Sequence, residues 1–260
     1  MPPQGTWPAS ILLARHGESA GNVARDAAEA SGGLRIDIDQ RDMDVGLSEL
    51  GHQQAKALGA WIADRGEEAP TVALASPYRR ACHTAELAIE AAGLDIEVVQ
   101  DERLREREFG VLDRLTRAGI EKEFPEEAAA RTYLGKFYHR PSGGESWADV
   151  GLRVRSVLDS VTREHAEERV LIVAHQVVIL MFRYVIEHLT EQDVLAIARG
   201  EEIVNCGVTK FALDPDIGRN GGMRLKRYNE AVALEEAGTP VTAEPDAKPA
   251  PARGTGDQSL

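Results

Sequence analysis

The chain has 260 residues, 43% hydrophobic and 28% charged, which is enough apolar material for a real core in one large domain or two small ones. Its formal net charge of -13 argues against a general nucleic-acid or anionic-membrane surface, so an anionic substrate has to be met by local cations working against the overall field. Cys82 and Cys206 lie far apart without metal-ligand spacing, which excludes a disulfide framework and a cysteine zinc site and leaves two buried thiols.

The N-terminal stretch MPPQGTWPAS lacks the basic cluster and apolar centre of a leader, and no apolar run has transmembrane length. Residues 1–9 read as an extension, and cytoplasmic is the default location. SILLA, starting at Ser10, has the length and composition of a buried strand and ends in Arg15-His16-Gly17. LSELGHQQAKALGAWIADRG, from Leu47, carries a helical period that Ser48 starts. TVALAS, from Thr71, is a second buried strand and runs into Pro77-Tyr78-Arg79-Arg80-Ala81. IEVVQ, from Ile96, is a third and leads to Leu104-Arg105-Glu106-Arg107-Glu108-Phe109-Gly110.

The second long helical pattern, SWADVGLRVRSVLDSVTREHA, opens on Ser146 and Asp149 in a capping arrangement. RVLIVAH, from Arg169, is a fourth strand ending in Ala174-His175-Gln176. EIVNCGVTKFALD and GMRLKRYNEAVAL, separated by the turn-rich DPDIGRNGG, read as a closing hairpin. Strands alternating with helices give an α/β fold with a mostly parallel central sheet and helices on both faces. One domain over residues 10–236 is expected, followed by a Pro/Ala-rich tail, 237–260, too poor in large apolar residues to fold.

Four places put hard polar residues where strands or buried loops end: Arg15-His16 with Asn22 following, Ser76 through Ala81, Arg105 through Gly110, and His175-Gln176. Alone, each has an ordinary explanation: a satisfied structural histidine, a solvated helix start, an exposed run of alternating charge, a core histidine. In open α/β sheets ligands sit beyond the carboxyl ends of the strands, so the four ends can share one pocket. Two histidines, at least two arginines and a carboxylate without metal-type spacing suit a phosphate site that needs no metal and no cofactor. Arginine matches phosphate oxygens with a planar, permanently charged fork. A neutral imidazole can attack phosphorus, and nearby arginines keep it neutral. Glu106 is the candidate proton donor to the leaving alkoxide, while Arg15, Asn22, Arg80 and His175 can neutralise charge on the phosphoryl oxygens.

Taken together, LLARHGESAGN, LSELGHQQAKALG, SPYRRACHTAE, LREREFG, PSGGESWADV and LIVAHQ, in this order over about residues 10 to 213, resemble the histidine phosphatase superfamily, the phosphoglycerate-mutase-like or branch-1 RHG proteins. The resemblance implies a single-domain three-layer α/β/α sandwich with no obligatory metal. It places the phosphorylated nucleophile at His16 beside Arg15, the second phosphate-binding arginine at Arg80 and not Arg79, the proton donor at Glu106, the second pocket histidine at His175, and a phosphate-pocket asparagine at Asn22.

Gln176 and Val177 stand where mutases of the family carry glycine and asparagine, a pattern closer to the bisphosphatase half of the fructose-2,6-bisphosphate enzymes. The departure favours hydrolysis over a phosphoglycerate-type mutase, with a small phosphorylated metabolite or several as the expected substrate and Gln176 added to the substrate contacts, while the presence of every core catalytic residue disfavours a non-catalytic phospho-ligand-binding protein. The stretch between Asn22 and Leu47 is longer than in many relatives. Its Arg25, Arg35 and Arg41 either line the entrance or balance Asp37, Asp39, Asp42 and Asp44 on a solvated loop, and the solvated loop is the expectation. The same ordinary reading applies to Arg107, Lys136, His139 and Arg140. Segment 111–145 is expected to form the substrate lid.

Overall fold

Alternation along the first strand decides how the layers stack. In β1, Ser10–Arg15, Ile11 and Leu13 enter one apolar cluster and Leu12 and Ala14 another, so the strand is buried on both faces. The computed structural model describes residues 7–218 and 221–243. β1 runs parallel to β4, Arg169–Ala174, which runs parallel to β2, Val72–Ala75. On its other side β1 pairs antiparallel with β5, Val208–Asp214, which pairs antiparallel with β6, Gly222–Glu230. With β3, Val98–Gln100, the order is β3-β2-β4-β1-β5-β6.

One face of the sheet is covered by α6, Trp147–Glu164, and α7, Gln176–Ile186. Val150, Val154, Val157 and Val161 of α6 recur at helical spacing and pack with Ile11, Leu13 and Ile172. The opposite face is covered by α2, Glu49–Ala63, α3, Arg79–Ala92, and α9, Val232–Ala237, through Leu58, Ile62, Ala85 and Leu234 against Leu12, Ala73 and Val173. Removing a Leu, Ile or Val side chain from water contributes about 1.5–3 kcal/mol, so the two apolar layers carry most of the stability. The expected α/β/α sandwich with a mostly parallel sheet is what forms.

Several local expectations need correction. IEVVQ is not a buried strand: only Val98–Gln100 pairs, on β2 alone, and as an edge strand it leaves Val99 50% exposed. The hairpin forms, yet its second arm stops at Glu230, and the following AVAL enters α9, which ends at Gly238 with φ of 64°. The tail expected to be unstructured from 237 is bound at its start, where Asn205 N donates to Thr242 O (2.8 Å) and Val204 bridges Ala243. The rest of that tail, 244–260, lies outside the described residues, as do residues 1–6 of the expected extension. Cys82 and Cys206 are both buried and free. Among the described residues, no helix is long and apolar enough to cross a membrane.

Candidate active site

Ladder geometry brings the strand ends together. His16 N donates to Ala174 O (3.0 Å) and Ser76 N donates to Val173 O (3.0 Å), so the residues after β1, β2 and β4 leave the sheet side by side. Each strand is followed at once by a helix: α1, Ala20–Ala30, after β1, α3 after β2 and α7 after β4. Their N-termini add positive potential at the mouth of the sheet.

The His16 and His175 rings lie 5.1 Å apart between centroids, and both histidines are buried. His16 Nδ1 is 2.7 Å from Gly17 O. A carbonyl only accepts, so Nδ1 carries the proton and Nε2 keeps its lone pair. Burial, and next the Arg80 guanidinium, hold both imidazoles well below the ordinary value of 6.5 and therefore neutral. Backbone contacts fix the loop: Gly17 N donates to Thr84 Oγ1 (3.0 Å), Glu18 N to Gln54 Oε1 (2.8 Å), and Asn205 Nδ2 to His16 O (2.9 Å). Gly17 is needed because a Cβ there would sit 2.6 Å from the Gly51 carbonyl oxygen of α2, a closer approach than any side chain permits.

The other expected residues fall in the same place. Arg80, on the first turn of α3, is buried while Arg79 is exposed, and its guanidinium lies 5.1 Å from the Tyr78 ring. Arg15 is buried and donates through Nη1 to Ile203 O. Glu106 Oε2 is 3.4 Å from His175 Nδ1, and Oε1 accepts from Arg107 N (2.8 Å). Burial raises the Glu106 carboxyl above its ordinary 4.5, Asp42 adds to the rise, and Arg80 opposes it. Arg153 of α6 holds the loop by donating to Glu106 O (3.2 Å), Arg103 O (2.7 Å) and the Glu145 carboxylate (3.0 Å). His175 Nε2 meets Ser76 Oγ (2.8 Å), whereas its buried Nδ1 has no hydrogen-bond partner among the described residues.

A cavity at this point is lined by His16, Asn22, Arg80 and Glu106, joined by Arg25, Ile36, Asp42, Phe109, Asp113 and Arg114. Arg15, His175 and Gln176 are not among the lining residues, although all three are buried. Asn22 has a structural task as well, since its Oδ1 accepts from Ser19 N (2.8 Å) and Oγ (3.0 Å) to cap α1. Among the described residues, no group of three or more His, Cys, Asp or Glu side chains is placed to hold a metal ion.

The stretch between Asn22 and Leu47 divides its charges differently from the expected solvated loop. Arg35 pairs with Glu123 and Arg41 with Asp44 (2.6 Å), as balancing ions. Arg25, however, lines the cavity, and Asp42 faces Arg80: Arg80 Nη1 donates to Asp42 O (2.7 Å) and Oδ1 (2.9 Å), and Nη2 to Oδ2 (3.3 Å). Ile36 N donates to Arg114 O (2.8 Å) and Thr116 N to Leu34 O (3.1 Å), so this stretch and the start of segment 111–145 form one roof. Farther along that segment the polar side chains serve the framework: Lys136 lies over the Trp147 ring, His139 meets Glu127 (3.1 Å), and Arg140 meets Asp149 (2.7 Å).

Support also comes from the start of the tail. Gln54 Nε2 donates to Pro240 O (3.0 Å) and Thr242 Oγ1 (2.9 Å), and Thr242 Oγ1 donates to Asn205 Oδ1 (3.0 Å). Gln54 and Asn205 are two of the three side chains that hold the backbone around His16, so the strap after α9 braces the site from behind.

Residues 11–230 of the chain match the histidine phosphatase superfamily (branch 1). A 2,3-bisphosphoglycerate-dependent phosphoglycerate mutase of Chelativorans sp. is 32% identical over 215 residues, covering 80% of this chain and 93% of that protein. The fructose-2,6-bisphosphatase of Saccharomyces cerevisiae is 35% identical over 172 residues, 66% of this chain but only 33% of the yeast protein. Among solved structures, a mycobacterial glucosyl-3-phosphoglycerate phosphatase in complex with inorganic phosphate superposes with a TM-score of 0.64 at 26% identity, over 86% of this chain and 98% of its own. These likenesses, on a site with neutral histidines, buried arginines and a raised carboxyl at the ends of parallel strands, establish that the chain belongs to the histidine phosphatase superfamily, branch 1, and is an enzyme of that type.

Proposed function

We propose that the protein is a metal-independent phosphomonoesterase that works through a phosphohistidine at His16 on a small phosphorylated metabolite. The observation that carries this reading is His16 itself: neutral, with Nδ1 spent on Gly17 O and Nε2 holding its lone pair, beside a carboxyl raised by burial. Nε2 attacks phosphorus and forms the N–P bond as the ester P–O bond breaks, and the departing oxygen takes the proton of Glu106. A water then attacks phosphorus and gives a proton to the Glu106 carboxylate, the N–P bond breaks, and phosphate leaves. Arg80 supplies positive charge and donors for the phosphoryl oxygens from the cavity wall with Asn22, Arg15 adds positive charge from its buried position, and the neutral His175 offers Nδ1 as an uncharged donor. Gln176 is buried in the first turn of α7 and does not line the cavity.

A phosphoglycerate-type mutase is the second reading, favoured by the activity that the Chelativorans relative's name carries. A mutase has to hold its phosphoenzyme against water, and Gln176-Val177 after His175 speaks for hydrolysis. The discriminating experiment measures phosphate release from a panel of phosphomonoesters, 3-phosphoglycerate included, with chelator present, and follows isomer formation in parallel. Release is expected to exceed isomerisation for every compound. Faster isomerisation of 3-phosphoglycerate than phosphate release would overturn the hydrolase in favour of the mutase.

The acid-base groups also set the pH profile. Protonated His16 cannot attack, and its depressed value keeps it neutral below 6.5, so the acid limb of kcat/KM is expected below that pH. Ionised Glu106 cannot donate, and its elevated value moves the alkaline limb above 4.5. For alkyl phosphates kcat/KM is expected to fall on the alkaline side as Glu106 ionises. A profile that rises monotonically into the alkaline range would contradict the assignment of Glu106 as the acid.

A further inference from the structure

Asp42 is a residue at the site that neither the strand-end motifs nor the mechanism uses. It sits on a short turn, Asp42–Asp44, inside the roof, and lines the same cavity as His16 and Glu106. Its carboxylate takes both terminal nitrogens of the Arg80 guanidinium, the planar arrangement that a phosphoryl group also fits. The two partners differ in burial: the Arg80 side chain is 6% exposed and that of Asp42 39%. A buried guanidinium is costly without a partner, while a carboxylate this exposed keeps much of its hydration and is released at little cost. Exchange of one anion for another on Arg80 is therefore easy, whereas loss of both is not.

We propose that Asp42 is a stand-in for the phosphoryl group, occupying the Arg80 fork between turnovers and returning to it as phosphate departs. This rests on the reading of Arg80 as a phosphate ligand. An entering phosphomonoester displaces Asp42 onto the solvent side of the turn, and the released product is replaced by an anion already tethered to the enzyme. Asp42 thus acts through Arg80 as a positioning residue: it weakens ground-state binding of phosphate and of weaker anions alike, so that only a ligand with more negative charge or more acceptors than one carboxylate takes the fork. The backbone confines the motion to residues 37–45, because Ile36 N is bound to Arg114 O (2.8 Å) on one side and Gly46 O to Ala20 N (3.0 Å) on the other. Asp42 also faces Glu106 and Asp113, both of whose carboxyls its charge pushes up after burial does so, and phosphate in its place preserves that effect on the acid.

The experiment is titration calorimetry of the full chain with inorganic phosphate, on the unaltered protein, Asp42→Asn and Asp42→Ala, together with KM and kcat for phenyl phosphate. A fork that is accessible only a tenth of the time weakens apparent affinity about tenfold, so both variants are expected to bind phosphate about tenfold tighter. KM falls by a similar factor and kcat does not rise, a split that general loosening of the roof would not produce. Unchanged or weaker phosphate binding in both variants would overturn the role of Asp42 while leaving the phosphate site intact. Absence of phosphate binding in all three proteins would overturn the site reading itself, and the proposal with it.

Discussion

Replacing His16 by alanine is expected to lower kcat/KM for phosphate release by roughly 10⁴-fold or more on every substrate the enzyme accepts, because the variant loses the atom that forms the covalent bond. The remaining groups still bind a phosphomonoester, so KM should change far less than kcat. The loss is chemical rather than structural. His16 packs beside His175, but its main-chain contacts to Asn205, Ala174 and the Thr84 hydroxyl through Gly17 do not depend on the imidazole. Thermal unfolding of the variant should accordingly stay close to that of the unaltered protein. Substantial residual turnover in a folded His16→Ala protein would mean that water attacks the substrate directly or that another side chain is the nucleophile.

The second large effect concerns the leaving group. Glu106→Gln keeps the shape and the acceptor for Arg107 N but removes the proton, and is expected to lower kcat for alkyl phosphates by about 10²- to 10³-fold. An aryl phosphate whose phenolate leaves without a proton should lose much less in its first step. Single-turnover measurements on both substrate types separate the two cases. Equal losses on alkyl and aryl substrates would show that Glu106 orients His175 across their 3.4 Å contact instead of donating a proton.

Much of this candidate site is legible in the amino-acid sequence, because its residues sit at fixed offsets from apolar runs that can only be buried strands. Arg15 ends β1; His16, Ser76 through Arg80 and His175 follow β1, β2 and β4 directly, and parallel pairing carries all three ends to one edge. The choice of Arg80 over Arg79 is also physical: one residue along the first turn of α3 swings the side chain from solvent to the sheet mouth. Harder to read is anything that depends on distant segments meeting. Asp42 lies among Arg41, Asp44 and other charges that look like a solvated strip, and only the packing of residues 34–36 against 114–116 turns it toward Arg80. Asn205, Gln54 and Thr242 are ordinary polar residues in sequence, and Asn205 and Gln54 are tied to each other behind His16 only because the chain folds back after α9. That same return explains how a stretch poor in large apolar residues docks at residues 240–242: hydrogen bonds to Asn205 and Gln54 hold it, not hydrophobic burial. The edge position of β3 is hidden as well, since Val98 and Val99 match a buried strand until the missing neighbour is known.

The phosphomonoesterase reading turns on the covalent step. The enzyme is mixed with saturating phosphomonoester, quenched within the turnover time under denaturing alkaline conditions that preserve phosphohistidine, digested, and mapped by mass spectrometry. A single added phosphoryl group on the peptide that contains His16, absent from the His16→Ala protein and discharged when substrate is exhausted, is the expected result. A phosphoryl group on His175, on a carboxylate, or on no residue during active turnover would contradict it.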